Sequence, residues 1–362
     1  MARLLPGDPI AHFAASTDAS TGFQIDTAAG RTLAFCEPGD LRDPAVRAML
    51  CLLRARTDVF DGAHAAVFVL VRDLAEVDPN LRTREPGYHL FLDPDGSIAE
   101  CLGLDWPGTL LVDRRLRALT TMDLDSPVAH AERVVEYVAA LPRRGVEHTA
   151  TATAPVLCVP RVLEPELCRA LMAHYEAYGG QDSGFMRDDA SGHTVTRLDH
   201  RFKRRRDCLI RDRALRDAVR ERIGRRLVPE IRRAFAFDAT RIERYLIARY
   251  DATEGGYFKP HRDNTTRGTA HRRFAATLML NAEDHDGGDL RFPEYDDRLY
   301  RVGSGGALVF SCSILHEVTP VTRGRRFCVI PFLYDATAAQ QRADNADSLV
   351  DGDLQAIALA GR

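Results

Sequence analysis

Along the first part of the chain, short apolar runs alternate with stretches whose apolar residues recur on one helical face. The run RTLAFCEP predicts a strand stopped by Pro38–Gly39. PAVRAMLCLLRAR carries helical spacing at Val46, Leu50 and Leu53. HAAVFVLVRD is β-branched and continuous, the pattern of a strand buried on both faces. YHLFLDPDGSIAECLGL predicts a strand, an Asp-Pro-Asp-Gly turn and a second strand, and GTLLVDRRLRALT another strand with its turn. SPVAHAERVVEYVAALP reads as an amphipathic helix capped by Ser126, begun by Pro127 and stopped by Pro142. This alternation implies an α/β domain over residues 1–145.

In RRGVEHTATATAP the hydrophobic period disappears, which predicts a linker at 146–156. The remainder, 157–362, opens with a strand and a helix that has Pro165 near its start and Gly179–Gly180 past its end. A long helix follows, with Leu215, Val219, Ile223 and Leu227 on one stripe. Then come short strand-like runs, IERYLIARY, RFAATLMLN, DLRF, GALVFSCSILH and RFCVIPFLY, separated by Gly, Asp and Pro clusters. Many short strands with turn signals predict a β-sandwich or barrel.

Composition narrows the class only slightly. Apolar content of 45% and charged content of 28% over 362 residues suit a globular protein of two domains. A net charge of -3 exerts no general pull on nucleic acid or acidic membranes. Pro6 and Asp8 interrupt the apolar run a signal peptide would need, and no stretch approaches a membrane span in length. The eight cysteines form no CxxC pair, and several lie in apolar runs. They read as buried, reduced thiols of a cytoplasmic protein.

The chemistry concentrates near GGYFKPHRDNT. A ferrous ion that must also take a cosubstrate and oxygen needs only two histidines and one carboxylate from the protein. His-x-carboxylate occurs three times among the twelve histidines: His130–Glu132, His174–Glu176 and His261–Asp263. The first two fall in helical runs, where residues two apart diverge. His261 and Asp263 follow a strand, where residues two apart share a face. The third ligand is best assigned to His316, at the end of the row Leu308, Phe310, Cys312, Ile314. An inward histidine there needs a polar partner, either a metal or a backbone carbonyl. His285, in a polar turn, and His271, beside Arg272 and Arg273, are weaker candidates. A 2-oxo dicarboxylate bound to iron leaves a far carboxylate that wants a fixed arginine. Arg326 opens the strand after His316 and can point into the same barrel, whereas Arg325 would point outward. Tyr250 could add a phenol donor, and Tyr257 could line the entrance.

The segments YDATEGGYFKPHRDN, GGDLRFPEY, GALVFSCSILHEVTPVTRGRRF and PFLYD resemble the iron(II)/2-oxoglutarate dioxygenases of the prolyl 4-hydroxylase type, over roughly residues 155–335. The resemblance implies a double-stranded β-helix, or jelly roll. It also implies iron ligands His261, Asp263 and His316, with Arg326 on the 2-oxoglutarate C5 carboxylate and Tyr250 lining the cosubstrate pocket. Met279 stands where some members carry a tyrosine. Implied too are O2 consumption, release of succinate and carbon dioxide, and hydroxylation of an unactivated C–H bond. The resemblance favours a prolyl or other amino-acid residue in a peptide or protein as the target, with a small-molecule substrate as the alternative; ascorbate dependence is an expectation by family analogy.

LLPGDPIAHFAASTDASTGFQIDTAAGRTLAFCEPGD and YHLFLDPDGSIAECLGL are similar to peroxiredoxins, which implies a thioredoxin-like fold for the N-terminal domain. The family's Pro-x-x-x-Thr-x-x-Cys, laid on Pro38, puts Arg42 at the Thr position and Ala45 at the Cys position. Without a thiol at the helix start, peroxide has no nucleophile to attack. The expectation is an inactive redoxin scaffold, with a displaced peroxidatic Cys51 as its rival. The arginine-rich segment 197–233 is interspersed with acids, which predicts a solvated helix face. Few aromatics for base stacking argue against nucleic acid on this segment, and a demethylase on the same barrel would resemble members with a further arginine after Arg326, where FCVIPFLYDATAAQQ offers none until Arg342. A homodimer is compatible with this reading.

Overall fold

The computed structural model describes residues 3–17, 21–82, 85–104, 106–142 and 153–349. Much of the expected 146–156 linker lies outside them. Two compact units divide at 148/149.

The first unit is built on a seven-stranded sheet. Strand Ala65–Val71, buried along its whole length, lies between Thr32–Glu37 and Tyr88–Leu92, parallel to both. Gly108–Val112 and Ala118–Asp123 extend the sheet antiparallel beyond Thr32–Glu37. Strand alternation divides the core in two. Ala34, Cys36, Val67 and Val69 meet helices Pro44–Ala55 and Pro127–Ala140 on one face. Leu33, Phe35, Phe68 and Phe91 pack on the other, over the short helix Ser97–Cys101. Three central parallel strands, antiparallel flanks and helices on both faces make a thioredoxin-like fold.

Two local expectations fail here. The second strand expected after the Asp-Pro-Asp-Gly turn is the helix Ser97–Cys101. The buried Asp93 carboxylate accepts from the N–H groups of Ile98 and Ala99, which starts a helix instead of a strand. Helix Pro127–Ala140 begins where expected, but the Ser126 hydroxyl makes no cap. Nor are all thiols buried: Cys51 is exposed, and Cys101 and Cys158 are half-buried.

The second unit places a nine-stranded sheet against a five-stranded one. On the larger sheet, Leu246–Asp251 pairs with Arg325–Val329, and Phe274–Met279 pairs with Arg325–Val329, Phe332–Tyr334 and Ala307–Ser311. The smaller sheet runs Lys203–Arg204, Tyr257–His261, His316–Val318, Leu290–Arg291, Leu299–Tyr300. Leu246, Ala248, Tyr250, Met279 and Phe310 face inward to meet Phe258, Leu290 and Val318. Ile247, Leu278 and Val329 face outward onto helices, among them Pro165–Tyr178. Facing antiparallel sheets with their core between them form the expected jelly roll.

The long helix is α-helical over Arg213–Arg222 and Val228–Phe235, with a π-helical turn at Ile223–Leu227 between them. Its buried row Val219, Ile223, Leu227, Ile231 repeats every four residues. In a straight α-helix that repeat drifts off the stripe, and the wider π turn rotates it back. The run IERYLIARY is not one strand. It breaks between Arg241–Glu243 and Leu246–Asp251, where Arg244 adopts the left-handed region at φ 65°.

Candidate metal centre

His261 ends strand Tyr257–His261, and its cross-strand partner is His316, the first residue of His316–Val318. Expectation and structure differ here. Strand Ala307–Ser311 belongs to the larger sheet, the chain turns at Cys312–Leu315, and His316 begins a strand of the opposite sheet. Leu308, Phe310, Cys312 and Ile314 are buried as expected, but His316 is not the last of their row. Asp263 lies just past its strand, fixed by its N–H on the Cys312 carbonyl and by Arg272, which donates to its own carbonyl.

The three side chains converge. One ligand atom from each of His261, Asp263 and His316 lies within 4.8 Å of the others, and no other such group occurs among the described residues. His261 Nε2 is 3.7 Å from Asp263 Oδ1, and His316 Nε2 is 3.4 Å from Oδ2. Both imidazoles use Nδ1 against a backbone carbonyl, Lys259 at 2.8 Å and Ile314 at 3.0 Å. A carbonyl only accepts, so each Nδ1 carries the proton and each Nε2 presents a lone pair. Burial, reinforced by the neighbouring His316, pushes the His261 pKa down to about 3, so it stays neutral. Burial pushes Asp263 upward, but His316, His261, Arg272 and Arg244 together hold it below the usual carboxylate range. Two imidazole lone pairs and a carboxylate aimed at one point repel unless a cation lies among them. The donor set suits iron(II).

The competing histidines are otherwise engaged. His130 Nε2 bonds Thr109 at 2.8 Å, and His174 Nε2 bonds the Leu209 carbonyl at 3.2 Å. His271 Nε2 donates to Glu243 at 2.6 Å, and His285 Nδ1 meets the Gly287 carbonyl at 3.1 Å.

The triad opens on a cavity of about 570 Å³. Tyr250 lines it, and burial raises its pKa against the opposing pull of Arg205 and Arg326, keeping the phenol protonated. Arg326 is the cross-strand partner of Tyr250, with its guanidinium 5.0 Å from the ring centre. It is buried, donates only to Cys328 Sγ at 3.1 Å, and leaves Nε without an acceptor. No carboxylate pairs with it among the described residues, so a buried guanidinium is left able to take an anion, although it lies behind Tyr250 and is not itself among the residues lining the cavity. Tyr257 is a correction: it does not line the cavity. Its neighbour Phe258 takes the inward face, and the Tyr257 hydroxyl donates to the His200 carbonyl at 2.9 Å.

Sequence reasoning missed several wall residues. Within the expected solvated helix face, Lys203 and Arg205 are buried on the cavity wall. The Lys203 ammonium donates to Ser183 Oγ, and Arg205 pairs with Asp207. Their alternation with exposed Arg204 was the available signal of a strand. Arg226, on the helix itself, is buried against Glu164. Arg272 and Glu243 form a buried pair beside the cavity.

In the first unit, Ala45 stands at the helix start, where Asp43 already supplies the cap by accepting from the Ala45 N–H. Cys51 lies about two turns further on, and Cys36 is buried, its pKa pushed up to about 12 chiefly by desolvation. Cys51→Ser is expected to leave peroxide consumption at the wild-type background. Consumption present in the wild type and lost in the variant would restore the thiol-peroxidase rival.

Residues 245–334 match the 2OG-Fe(II) oxygenase superfamily profile, so the second unit carries a 2OG-Fe(II) oxygenase domain. Curated relatives are PKHD-type hydroxylases. That of Maricaulis maris is 32% identical over 123 residues, which are 33% of this chain and 54% of the relative. That of Rhizorhabdus wittichii is 40% identical over 82 residues, 20% of this chain and 36% of the relative. The chain thus spans about half the length, or less, of these relatives. Among solved structures, a Pseudomonas putida prolyl-4-hydroxylase overlays 51% of this chain and 94% of its own at 21% identity and a TM-score of 0.38. Peroxidoxin BcpB of Mycobacterium tuberculosis overlays 39% of this chain and 99% of its own at 18% identity and a TM-score of 0.34.

Proposed function

We propose that residues 157–362 form a dioxygenase that uses iron(II) and 2-oxoglutarate to hydroxylate an unactivated C–H bond, and that residues 1–145 form a redoxin scaffold without peroxidatic chemistry, joined to it by the 146–156 linker. The observation that carries this reading is the meeting of His261, Asp263 and His316 within 4.8 Å, inside the stretch that matches the oxygenase profile. These three would hold the iron, and Arg326 the far carboxylate of 2-oxoglutarate. When bound, iron and 2-oxoglutarate supply the oxygen activation, with succinate and carbon dioxide as coproducts.

The chain's own residues confine that chemistry. Carbonyl-bound Nδ1 atoms hold both imidazoles in the ligating tautomer. Tyr250 keeps a phenol proton to donate. Phe258, Leu290, Phe310, Val318 and Phe332 give the cavity an apolar wall that keeps water from competing with the target bond.

The favoured substrate is a prolyl or other amino-acid residue of a peptide or protein, a reading supported by the partial identity to PKHD-type hydroxylases. A cytoplasmic setting is supported by eight free thiols. No helix among the described residues is long and apolar enough to cross a membrane.

Anaerobic titration with iron(II) and then 2-oxoglutarate tests the site. A weak visible charge-transfer band is expected, and its absence would overturn the reading. Succinate release should then rise with peptide pools. A rise with methylated oligonucleotides alone would reverse the substrate assignment. Arg326→Ala is expected to raise the 2-oxoglutarate concentration that half-saturates the band by about 10- to 100-fold, the value of a charge-assisted hydrogen bond. Arg323 and Arg325 are already paired, with Asp286 and Glu176, so an unchanged requirement would need another cation.

A further inference from the structure

Five other basic side chains on the cavity wall have an internal partner or face solvent. Lys203 donates to Ser183 and the Gly184 carbonyl, Arg205 pairs with Asp207, Arg262 with Glu294 and Arg272 with Glu243. Arg187 is exposed. Arg244 differs from all of them. No hydrogen bond or salt bridge reaches its side chain among the described residues, and its Nε is buried without an acceptor. Its guanidinium lies 4.6 Å from the centre of the Phe332 ring, which restricts its plane without neutralising it.

Of the cavity's own acids, Asp263 feels the Arg244 charge but makes no hydrogen bond or ion pair with it among the described residues, and Asp188 is already engaged. Asp263 belongs to the metal triad, and Asp188 accepts from Thr194 Oγ1 and the Arg267 N–H. The backbone is built around the same residue. Arg244 breaks what would be one strand by adopting φ 65°, a conformation an arginine rarely takes. Strained positions of this kind are kept where a ligand is clamped.

We propose that Arg244 anchors a carboxylate on the primary substrate, so that the substrate is a carboxylic acid: a free amino acid or the C-terminal residue of a peptide. The inference rests on the oxygenase reading above and narrows its substrate. Arg326 is assigned to 2-oxoglutarate, and Arg244 is a second guanidinium without a direct acid partner among the described residues, on the cavity wall. A site built to pair a carboxylate rejects the matching amide, because the guanidinium is then left unpaired.

The test uses the full chain loaded with manganese(II) and saturating 2-oxoglutarate under anaerobic conditions, so that any response of Arg244 to 2-oxoglutarate is already present. Thermal unfolding is followed with free amino acids, N-acetyl amino acids and their N-acetyl amides. A second arm uses short peptides ending in a carboxylate or in an amide. At least one acid should raise the unfolding midpoint and bind at least tenfold tighter than its amide. The preference should vanish in Arg244→Gln and survive in part in Arg244→Lys. The arm that responds identifies the source as free acid or peptide C-terminus. If no acid outperforms its amide in the wild type, or if Arg244→Gln keeps the preference, the proposal is wrong. The charge-transfer titration reports separately on iron and 2-oxoglutarate, so loss of the oxygenase reading is told apart from loss of the carboxylate anchor.

Discussion

His261→Ala and Asp263→Ala are each expected to yield a folded protein that no longer retains iron and has lost nearly all succinate release. Removing His261 takes one of only three donors, and a site that must leave positions open for 2-oxoglutarate and oxygen has no spare ligand. His261 is also stacked on Phe258 at 3.5 Å between ring centres, so the alanine leaves a gap against an aromatic wall. Asp263 contributes the sole carboxylate of the set, and its loss removes the negative charge that answers the ion. Metal analysis after dialysis gives the first readout. Succinate release gives the second, with an expected fall of at least 10²-fold for loss of an essential group. Far-ultraviolet circular dichroism checks the fold. Normal iron content and turnover in either variant would remove the assignment.

Glu243→Gln is expected to destabilise the second unit by about 3–5 kcal/mol, the cost of removing one partner from a buried ion pair. Glu243 is buried, accepts from Arg272 at 2.7 Å through one oxygen, and meets His271 Nε2 at 2.6 Å through the other. The glutamine keeps the shape but leaves the Arg272 charge buried and unpaired. Chemical denaturation should show a lower midpoint at unchanged slope. Iron affinity should weaken too, since Arg272 also holds the Asp263 carbonyl at 3.3 Å.

The acid limb of the stability curve carries the same signature. Burial pushes Glu243 upward, but Arg272 and His271 outweigh it and hold the carboxyl well below its ordinary value. Burial pushes His271 below its ordinary value as well. Both groups therefore bind fewer protons folded than unfolded, and stability rises with pH where they differ. The Glu243 contribution is complete above its unfolded pKa, about 4.5, and is lost as pH falls through its folded value. The His271 contribution declines below about pH 6.5, its unfolded value. In Glu243→Gln the lower of these two losses should disappear. An unchanged acid limb with an unchanged midpoint would show that the pair contributes little.

Much of the candidate metal centre was legible in the chain because strand chemistry is local. His261 and Asp263 are two apart beside a strand, and that spacing needs no tertiary information. His130 and His174 fell away for an equally local reason, since a helix turns residues two apart to different sides. Tyr250, expected as a phenol donor near the site, lies on the inward face with Ala248 and Leu246 and lines the cavity.

What failed depended on contacts between segments far apart in sequence. His316 looked like the end of one inward row, yet a turn at Cys312–Leu315 carries it into the opposite sheet. It still meets His261 and Asp263 because pairing with His261 restores the proximity that the row was expected to supply. Tyr257 turned outward because Phe258 took the core face of a strand only five residues long. The arginine-rich segment looked like a solvated helix because charge is normally exposed. Lys203 and Arg205 are buried because Ser183, Gly184 and Asp207 meet them there, and composition carries no record of such partners.

By itself, then, the sequence determined most of the larger strands and helices, two of the three residues of the candidate metal site and the lack of a thiol at the redoxin helix start. Each of these depends on residue type and spacing along a single segment. Only the tertiary structure decided which cations of the cavity are neutralised and which are not. Strand alternation already set Arg326 apart from Arg325, but nothing in the linear pattern distinguishes Arg244 from its paired neighbours on the cavity wall, because pairing is set by distances between strands that the folded chain alone brings together.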